Sequence, residues 1–541
     1  MPPTHVAILG GGLTGLSSAF HLSRRFPKAR ITLLERQPRL GGWVRSERVP
    51  VRVPIAAVEG GAGRTEEASV LLEAGPRTLR PNALAVLELV NLLNLTPSLI
   101  TVPRTAPAAR NRFLHIPGTR GLELIPASLP ALLASPLGRL LIRAIVKDAV
   151  GSTYKAVGTH STESTDDDES LESFLMRHFG GEFARTLGSA LVHGVYAADA
   201  RELSVKAAFP SLLEMERQGR GSVVRGAIRS AFGSTDSGKK VRSREEDPTL
   251  KEYYDVGAVP YLMNGVSVFS FRNGMETMVR ALENSFWNKG NVKIVKGDGA
   301  ARLSKIGDNF EITTASGRVH SVSHLVSSIP LPSLYSLLET SASSLPSTSA
   351  LSIPPHLTAS PSSSVTVVNL IFPVVFSRPL YPPGFGYLIP RPPPPYDYSR
   401  GNELGILGTV FDSSSLAEQD RGPAADKVKK VTVILGRPYS ASAANLQSPT
   451  FIDRLLHQLA VHLAPNQDGE IRPLPKPLFV RIHQHAGCIP APTVGHERRM
   501  EEMRAAVREH WGERAEIVGA GVGGVSVGAC VEMGRNVGKE W

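Results

Sequence analysis

Cysteine is almost missing from this 541-residue chain. Its two cysteines, Cys488 and Cys530, lie outside any CxxC or Cys/His cluster, which argues against a disulfide framework and a structural zinc site. No metal site is expected, and both thiols read as reduced and inert. No charged-then-apolar stretch precedes Val6, so a secretory leader is not expected. Nowhere does the chain reach the roughly 18–20 uninterrupted apolar residues of a spanning helix. It is expected not to cross a membrane, although it can lie on one. Zinc-finger spacings and other short nucleic-acid-binding signatures are missing as well, so nucleic acid is not an expected partner.

What is there suits a globular protein of two or three units. The apolar fraction is 42%, and single cores stop growing at about 250–300 residues. A formal charge of +11 favours acidic partners such as a phospholipid surface or a polyanionic small molecule. The opening reads as strand, turn, helix, strand, a βαβ unit. His5 to Leu9 is mostly apolar, Gly10 to Gly15 breaks it, Leu16, Ala19 and Phe20 recur at helical spacing, and Ile31 to Leu34 looks buried. Between Leu122 and Val146, prolines cut an apolar stretch into short segments carrying Arg139, Arg143 and, just beyond, Lys147. Two readings stay open there: helices lying on an anionic bilayer, or a buried helical unit with snorkelling arginines. Thr159 to Ser170, Gly233 to Asp247, Ser341 to Ser364 and Pro390 to Pro395 read as polar surface loops. No internal repeat is visible.

The motif with the most chemistry is Gly10-Gly11-Gly12-Leu13-Thr14-Gly15. Between strand and helix, its backbone N–H groups and the helix dipole can meet a pyrophosphate. Glu35 follows Gly15 by twenty residues, at the end of the next strand, where a carboxylate accepts from a ribose. Gly41 and Gly42, just before Trp43, allow a second close approach of backbone to cofactor, common in FAD oxidases and unusual in NAD enzymes. Glu73-Ala-Gly-Pro-Arg77 forms a third tight segment. Near the other end, Ile517 to Gly521 runs into Gly523 to Val527 and a helical stretch to Arg535, whose N-terminus can stabilise charge on a reduced ring. FAD is the expected cofactor.

These motifs, taken with Leu16-Ser-Ser-Ala-Phe-His-Leu-Ser23, Arg39-Leu-Gly-Gly-Trp-Val-Arg-Ser46, Asn111-Arg-Phe-Leu114, Gly194-Val-Tyr-Ala197, Arg201-Glu-Leu-Ser204, Phe209-Pro-Ser-Leu212, Gly384-Phe-Gly386, Cys488-Ile-Pro490 and the tail from Gly519, resemble the protoporphyrinogen oxidases, in a eukaryotic, fungal-like pattern. The resemblance spans about residue 5 to residue 538. It implies an α/β fold in three parts. A Rossmann-like FAD-binding domain would comprise residues 1–94, 266–330 and 475–541, and a mixed-sheet substrate domain 95–109, 209–265 and 331–474. An inserted α-helical membrane-associated domain would span 110–208, with Leu122 to Val146 facing the membrane.

By the same resemblance, FAD contacts fall on Gly10, Gly11, Gly12, Leu13, Thr14, Gly15, Glu35, Arg36, Trp43, Gly75, Pro76, Arg77, Thr78, Ala300, Ala520, Val525, Ser526 and Val527. Arg112 would pair with a substrate propionate, a guanidinium being suited to bidentate carboxylate binding. Phe385 would pack on a pyrrole, or serve as a core phenylalanine, and Gly194 would line the substrate side. His193 is either a proton relay or a satisfied structural histidine. Two departures stand out: Gly528-Ala529 replaces an Asn-Asp pair that would hold the last helix, and Ala198 replaces a frequent glycine, where a methyl could crowd the substrate.

The implied reaction takes six electrons from protoporphyrinogen IX in three steps, giving protoporphyrin IX, with dioxygen reduced to hydrogen peroxide. No catalytic triad is expected, because the chemistry belongs to the cofactor. Coproporphyrinogen III oxidation, another flavin amine oxidase or desaturase, and a non-catalytic flavin-binding scaffold are the rivals. The resemblance also implies a peripheral or monotopic place on the mitochondrial inner membrane, and leaves room for a homodimer and for product hand-over to ferrochelatase.

Overall fold

The computed structural model describes residues 2–541 apart from 56–63, 127, 152–167, 233–252, 288–289, 345, 347–348, 375–378, 393–401, 437, 439–445 and 465–469. The expected loop Gly233 to Asp247, most of Thr159 to Ser170 and half of Pro390 to Pro395 lie outside the described residues.

The opening βαβ reading holds. His5–Leu9, helix Leu13–Arg25 and Arg30–Glu35 form its first unit, and the two strands pair in parallel. Val6, Ile8, Ile31 and Leu33 have no exposed surface, as strands covered on both faces require. The parallel sheet is completed by Val292–Lys296 beside Arg30–Glu35, and by His324–Ser327 then Ala515–Ile517 on the other flank. A sheet that orders strands from residues 5, 30, 292, 324 and 515 side by side assembles one layer from distant segments.

A seven-stranded, mostly antiparallel sheet forms the second layer. Its order is Phe479–Pro490, Ser362–Pro373, Val428–Gly436, Ile406–Val410, Gly386–Leu388, Phe113–Leu114, Glu123–Leu124, with one parallel pairing, Gly386–Leu388 on Phe113–Leu114. Strand membership crosses the expected domain boundaries. Phe113–Leu114 and Glu123–Leu124, assigned to the helical part, are strands here; Phe479–Pro490, assigned to the cofactor part, is the opposite edge strand. Ser341 to Ser364, expected as a surface loop, starts inside helix Leu331–Ser344 and ends inside strand Ser362–Pro373. Buried Ser341 accepts from the Leu303 N–H at 2.9 Å and donates to the Leu337 carbonyl at 2.7 Å.

Helices Leu129–Ala134, Gly138–Val150, Leu171–Phe179 and Ser189–Tyr196 make the third part. It extends past residue 208: helix Pro210–Gln218 contributes Leu212, Leu213 and Met215 to the same apolar cluster as Phe174, Leu175 and Val192, and Val223 joins them. Helix Gly138–Val150 is pinned by Asp148, which accepts from His178 Nδ1 at 2.5 Å, Ser222 Oγ at 2.8 Å and the Val224 N–H at 2.7 Å. His178 is buried on all sides. Burial opposes its protonation, but Asp148 and Glu216 outweigh it and raise its pKa above the ordinary 6.5. A group raised on folding contributes its stability below 6.5 and loses it as pH climbs through the folded value. Thermal unfolding midpoints are therefore expected to fall as pH rises above 6.5, and His178→Gln should flatten that slope. A pH series of thermal melts on both proteins checks this.

Candidate functional site

The glycine turn that ends His5–Leu9 is shaped by close approaches. Gly10 adopts φ +98° and donates to the Leu34 carbonyl at 2.9 Å. A Cβ on Gly15 would lie 2.0 Å from the Gly10 carbonyl oxygen, so the helix can start this close to the strand only with glycine there. Gly12 differs: a Cβ there meets no protein atom within 4 Å. It heads helix Leu13–Arg25, with no side-chain cap and no acid in the first turn. Leu13 and Thr14 are buried behind it. Free N–H groups and an open gap at a helix N-terminus make a site for an anion.

Glu35 lies beside that gap. It accepts from the Gly11 N–H at 2.7 Å and the Gln37 N–H at 2.8 Å, leaving further lone pairs for hydroxyl donors. Gly41 donates to the Gly11 carbonyl at 2.8 Å, and Gly42 lies against the Gly12 Cα. Gly299 is pressed against Arg36, and Asp298 donates to the Glu35 carbonyl at 3.1 Å, which brings Ala300 to the Glu35 end of the cradle.

The C-terminal segment closes over the same helix. Ser17 Oγ donates to the Val531 carbonyl at 2.8 Å, and Gly534 packs on the Thr14 carbonyl where no Cβ fits. Helix Val527–Asn536 is capped by Ser526, whose Oγ accepts from the Ala529 N–H at 3.0 Å. The cap that an Asp would supply in place of Gly528-Ala529 is thus provided by Ser526. Arg535 holds the far end of this helix to Glu88 at 2.5 Å and lies over the Tyr254 ring at 4.2 Å. A cavity of about 380 Å³, lined in part by Tyr196, Pro490, His496, Ala520 and Val525, opens beside the preceding turn.

Gly75, Pro76, Arg77 and Thr78 run between the two layers. Gly75 has no room for a Cβ beside the Trp43 carbonyl, and Trp43, 42% exposed, meets the His485 ring edge-on at 5.3 Å. The Arg77 side chain is committed elsewhere: it is buried in an ion pair with Asp412 at 3.1 Å. Any contact from Arg77 to a cofactor therefore comes from its backbone.

The Phe385 N–H donates to the Asn111 carbonyl at 3.0 Å, just before the paired strands Gly386–Leu388 and Phe113–Leu114. Gly384 lies against Phe113, and Gly386 at φ +148° lies against the Thr409 carbonyl; neither leaves space for a side chain. Phe385 itself is half-buried. Gly194 packs on Leu388 of the same sheet. His193 is fully buried, with Nδ1 donating to the Ile389 carbonyl at 2.7 Å, and burial holds its pKa down to about 4. It is the structural histidine of the two readings. Ala198 is buried in the helical cluster with Leu171 and Phe174, so its methyl faces the core.

The flavin containing amine oxidoreductase model matches residues 13–494. The chain is 31% identical to human protoporphyrinogen oxidase over 98% of this chain and 96% of that one. To the Schizosaccharomyces pombe protoporphyrinogen oxidase it is 28% identical, over 99% and 98%. The chain belongs to the flavin-containing amine oxidoreductase family, among its protoporphyrinogen oxidases. A solved Exiguobacterium structure provisionally named a protoporphyrinogen oxidase, 20% identical, superposes with a TM-score of 0.68 over 98% of this chain and 97% of that one, a likeness of fold.

A member of this family is a flavin-dependent oxidoreductase, and FAD suits the residues present. The gap at Gly12 faces uncapped N–H groups, and the Glu35 carboxylate stands one strand away with acceptor capacity to spare. Asp412 and His485 carried no sequence signal: Asp412 opens a short turn of helix after the strand Ile406–Val410 and His485 lies in the strand Phe479–Pro490, and only the fold brings Asp412 to Arg77 and His485 Nε2 to the Ala74 carbonyl at 2.8 Å.

Proposed function

We propose that this protein catalyses the FAD-dependent oxidation of protoporphyrinogen IX to protoporphyrin IX, with dioxygen as acceptor and hydrogen peroxide as the by-product. Likeness to protoporphyrinogen oxidases along nearly the whole chain supports the reading. The observation that carries it is the backbone bond from the Phe385 N–H to the Asn111 carbonyl, which brings Phe385 and the segment carrying Arg112 together at the ends of paired strands, in a sheet that Arg77 and Asp412 tie to the segment Gly75–Thr78. Bound FAD supplies a two-electron acceptor that dioxygen reoxidises. Gly10 to Gly15 hold its pyrophosphate at the helix N-terminus, Glu35 takes the ribose hydroxyls, Arg36 and Ala300 flank the adenine end, and Trp43, Gly75 to Thr78, Ala520 and Val525 to Val527 enclose the ring end. Arg112 holds a substrate propionate and Phe385 lies against a pyrrole, so binding energy is spent on orienting an apolar macrocycle.

Anaerobic mixing of the FAD-loaded protein with protoporphyrinogen IX tests this. Flavin absorbance is expected to bleach with that substrate, and more slowly or not at all with coproporphyrinogen III or a primary amine. Absence of bleaching by protoporphyrinogen IX overturns the reading.

The same reading rests the helical part on an anionic membrane. Leu133 and Val150 are each 79% exposed and Val146 is 52% exposed, among exposed Arg139, Arg143 and Lys147. No helix among the described residues is long and apolar enough to span a bilayer. Apolar tips with a basic collar suit interfacial binding. Peripheral placement on the mitochondrial inner membrane belongs to this proposal, which accommodates a homodimer and product hand-over to ferrochelatase. Leu133→Asp with Val150→Asp is expected to weaken binding to anionic vesicles by about tenfold or more, from the lost apolar burial. Flavin content should stay unchanged; co-sedimentation measures the effect.

A further inference from the structure

A small cavity of about 10 Å³ lies among Glu73, Asn369, Asp412, Gln419, Lys430 and Thr432. Every residue that lines it is buried. Two of them carry an acceptor oxygen that no group among the described residues satisfies: Asn369 Oδ1 and Gln419 Oε1. Asn369 is 2% exposed and Gln419 is wholly buried. A buried acceptor without a donor forfeits its hydration and receives nothing in return, so such atoms are nearly always paired in folded proteins.

Neither amide can turn round to escape. Asn369 Nδ2 donates to the Glu73 carbonyl at 3.3 Å and to Thr432 Oγ1 at 2.8 Å, and Gln419 Nε2 donates to the Phe271 carbonyl at 3.0 Å. A carbonyl only accepts, so both amides are fixed with nitrogen toward the backbone and oxygen away from it. The neighbouring donors are already committed. Lys430 Nζ serves the Leu71 carbonyl at 3.1 Å, the Leu416 carbonyl at 3.4 Å and Asp420 at 3.0 Å. Thr432 Oγ1 donates to Asp412, and Ser270 Oγ donates to the Arg77 carbonyl at 2.8 Å.

We propose that this cavity is a binding site for one internal water molecule, which donates one hydrogen bond to Asn369 Oδ1 and the other to Gln419 Oε1. The volume is about the least that admits a water and leaves no room for a larger ligand. A cation is disfavoured because the Lys430 ammonium lines the same space. The bridge joins strand Ser362–Pro373, which carries Asn369, to the turn Ala417–Gln419. Both amides also back the segment Glu73–Arg77: Asn369 bonds the Glu73 carbonyl, and Gln419 bonds Ser270 Oγ at 3.4 Å, which in turn holds the Arg77 carbonyl. A water between the two amides closes this set of bonds behind the segment that the proposed function lays along the cofactor. The site itself stands independently of that function.

The test is a crystal structure of the full chain, with FAD added, combined with a double-mutant cycle of Asn369→Leu and Gln419→Met. One ordered solvent peak is expected within about 2.7–3.2 Å of both oxygens. In the double variant, whose walls are apolar there, the peak should vanish. Each single change leaves one amide oxygen with a half-satisfied water, whereas the double change removes both oxygens and the water together. In denaturant unfolding, the combined loss in the folding constant should therefore fall short of the product of the single losses by about fivefold or more. A dry cavity in the wild type, a protein donor on either oxygen, or single losses that multiply to within about twofold overturns the proposal. Should a variant fail to fold, the density in the wild-type cavity decides alone.

Discussion

Replacing Gly12 by valine is expected to give a folded protein without flavin. Gly12 has φ −71° and ψ −179°, a conformation open to any residue, and a Cβ there meets no protein atom within 4 Å. Nothing in the apoprotein resists the substitution. The isopropyl group instead fills the gap in front of the uncapped N–H groups of helix Leu13–Arg25, where the FAD pyrophosphate would lie. A displaced pyrophosphate forfeits several charge-assisted hydrogen bonds, and an affinity loss of about 100-fold or more follows. Gly15→Val is the contrasting control. Its Cβ would stand 2.0 Å from the Gly10 carbonyl oxygen, so strand and helix must separate and the fold itself suffers. Flavin absorbance per protein, with thermal melts in the presence and absence of added FAD, distinguishes the two. Gly12→Val should melt like wild-type apoprotein and gain nothing from FAD, because a ligand stabilises only what it binds. Wild-type flavin retention in Gly12→Val would remove Gly12 from the cofactor site.

Those two glycines also show what could be read from the sequence and what could not. A turn built from residues 10–15 and a carboxylate at Glu35 is local, and its spacing is legible because strand, turn and helix follow one another without interruption. The meeting of the chain's two ends was legible for a different reason. Both ends carry a strand–glycine–helix pattern suited to one cofactor, and Ser17 does bond the Val531 carbonyl at 2.8 Å. Boundaries in the middle of the chain were not legible. Phe479–Pro490 looks like any amphipathic strand, and only its pairing with Ser362–Pro373 assigns it to the seven-stranded sheet rather than to the parallel one. Asp148 lies in a helix whose exposed face is apolar and basic, so it reads as one more solvated charge. Its three partners come from residues 178, 222 and 224, on two other helical segments. The side-chain partner of Arg77 was not legible either: its neighbours Gly75 and Pro76 point to a tight backbone segment, while its ion-pair partner is 335 residues away.

That partnership carries the second large effect. Arg77 and Asp412 are each about nine-tenths buried, and Asp412 also accepts from Thr432 Oγ1 at 2.5 Å. The pair therefore clamps the segment Gly75–Thr78 to the strand Val428–Gly436. Removing Arg77 leaves a buried carboxylate with its cation gone, for which about 3–5 kcal/mol of lost stability is the usual consequence. Arg77→Met with Asp412→Leu should be much milder than either single change, since burying an apolar pair avoids the stranded charge. The penalty of Arg77→Ala should also grow with pH. Glu73, close by, is pushed up to about 8 by burial, while the Met275 N–H, Ser46 and the charges of Arg77 and Lys430 pull the other way. With a folded pKa above the ordinary 4.5, Glu73 contributes stability that is present at low pH and lost as pH rises through about 8. At pH 6 it is neutral and Arg77 serves Asp412 alone. Above pH 8 it too is an anion, and Arg77→Ala withdraws a cation from both. Denaturant unfolding of Arg77→Ala and of the four proteins of the Met/Leu double-mutant cycle, at the two pH values, measures each quantity. A loss below about 1 kcal/mol in Arg77→Ala, the size of an exposed pair, would mean that Asp412 finds water or another donor once the arginine is gone.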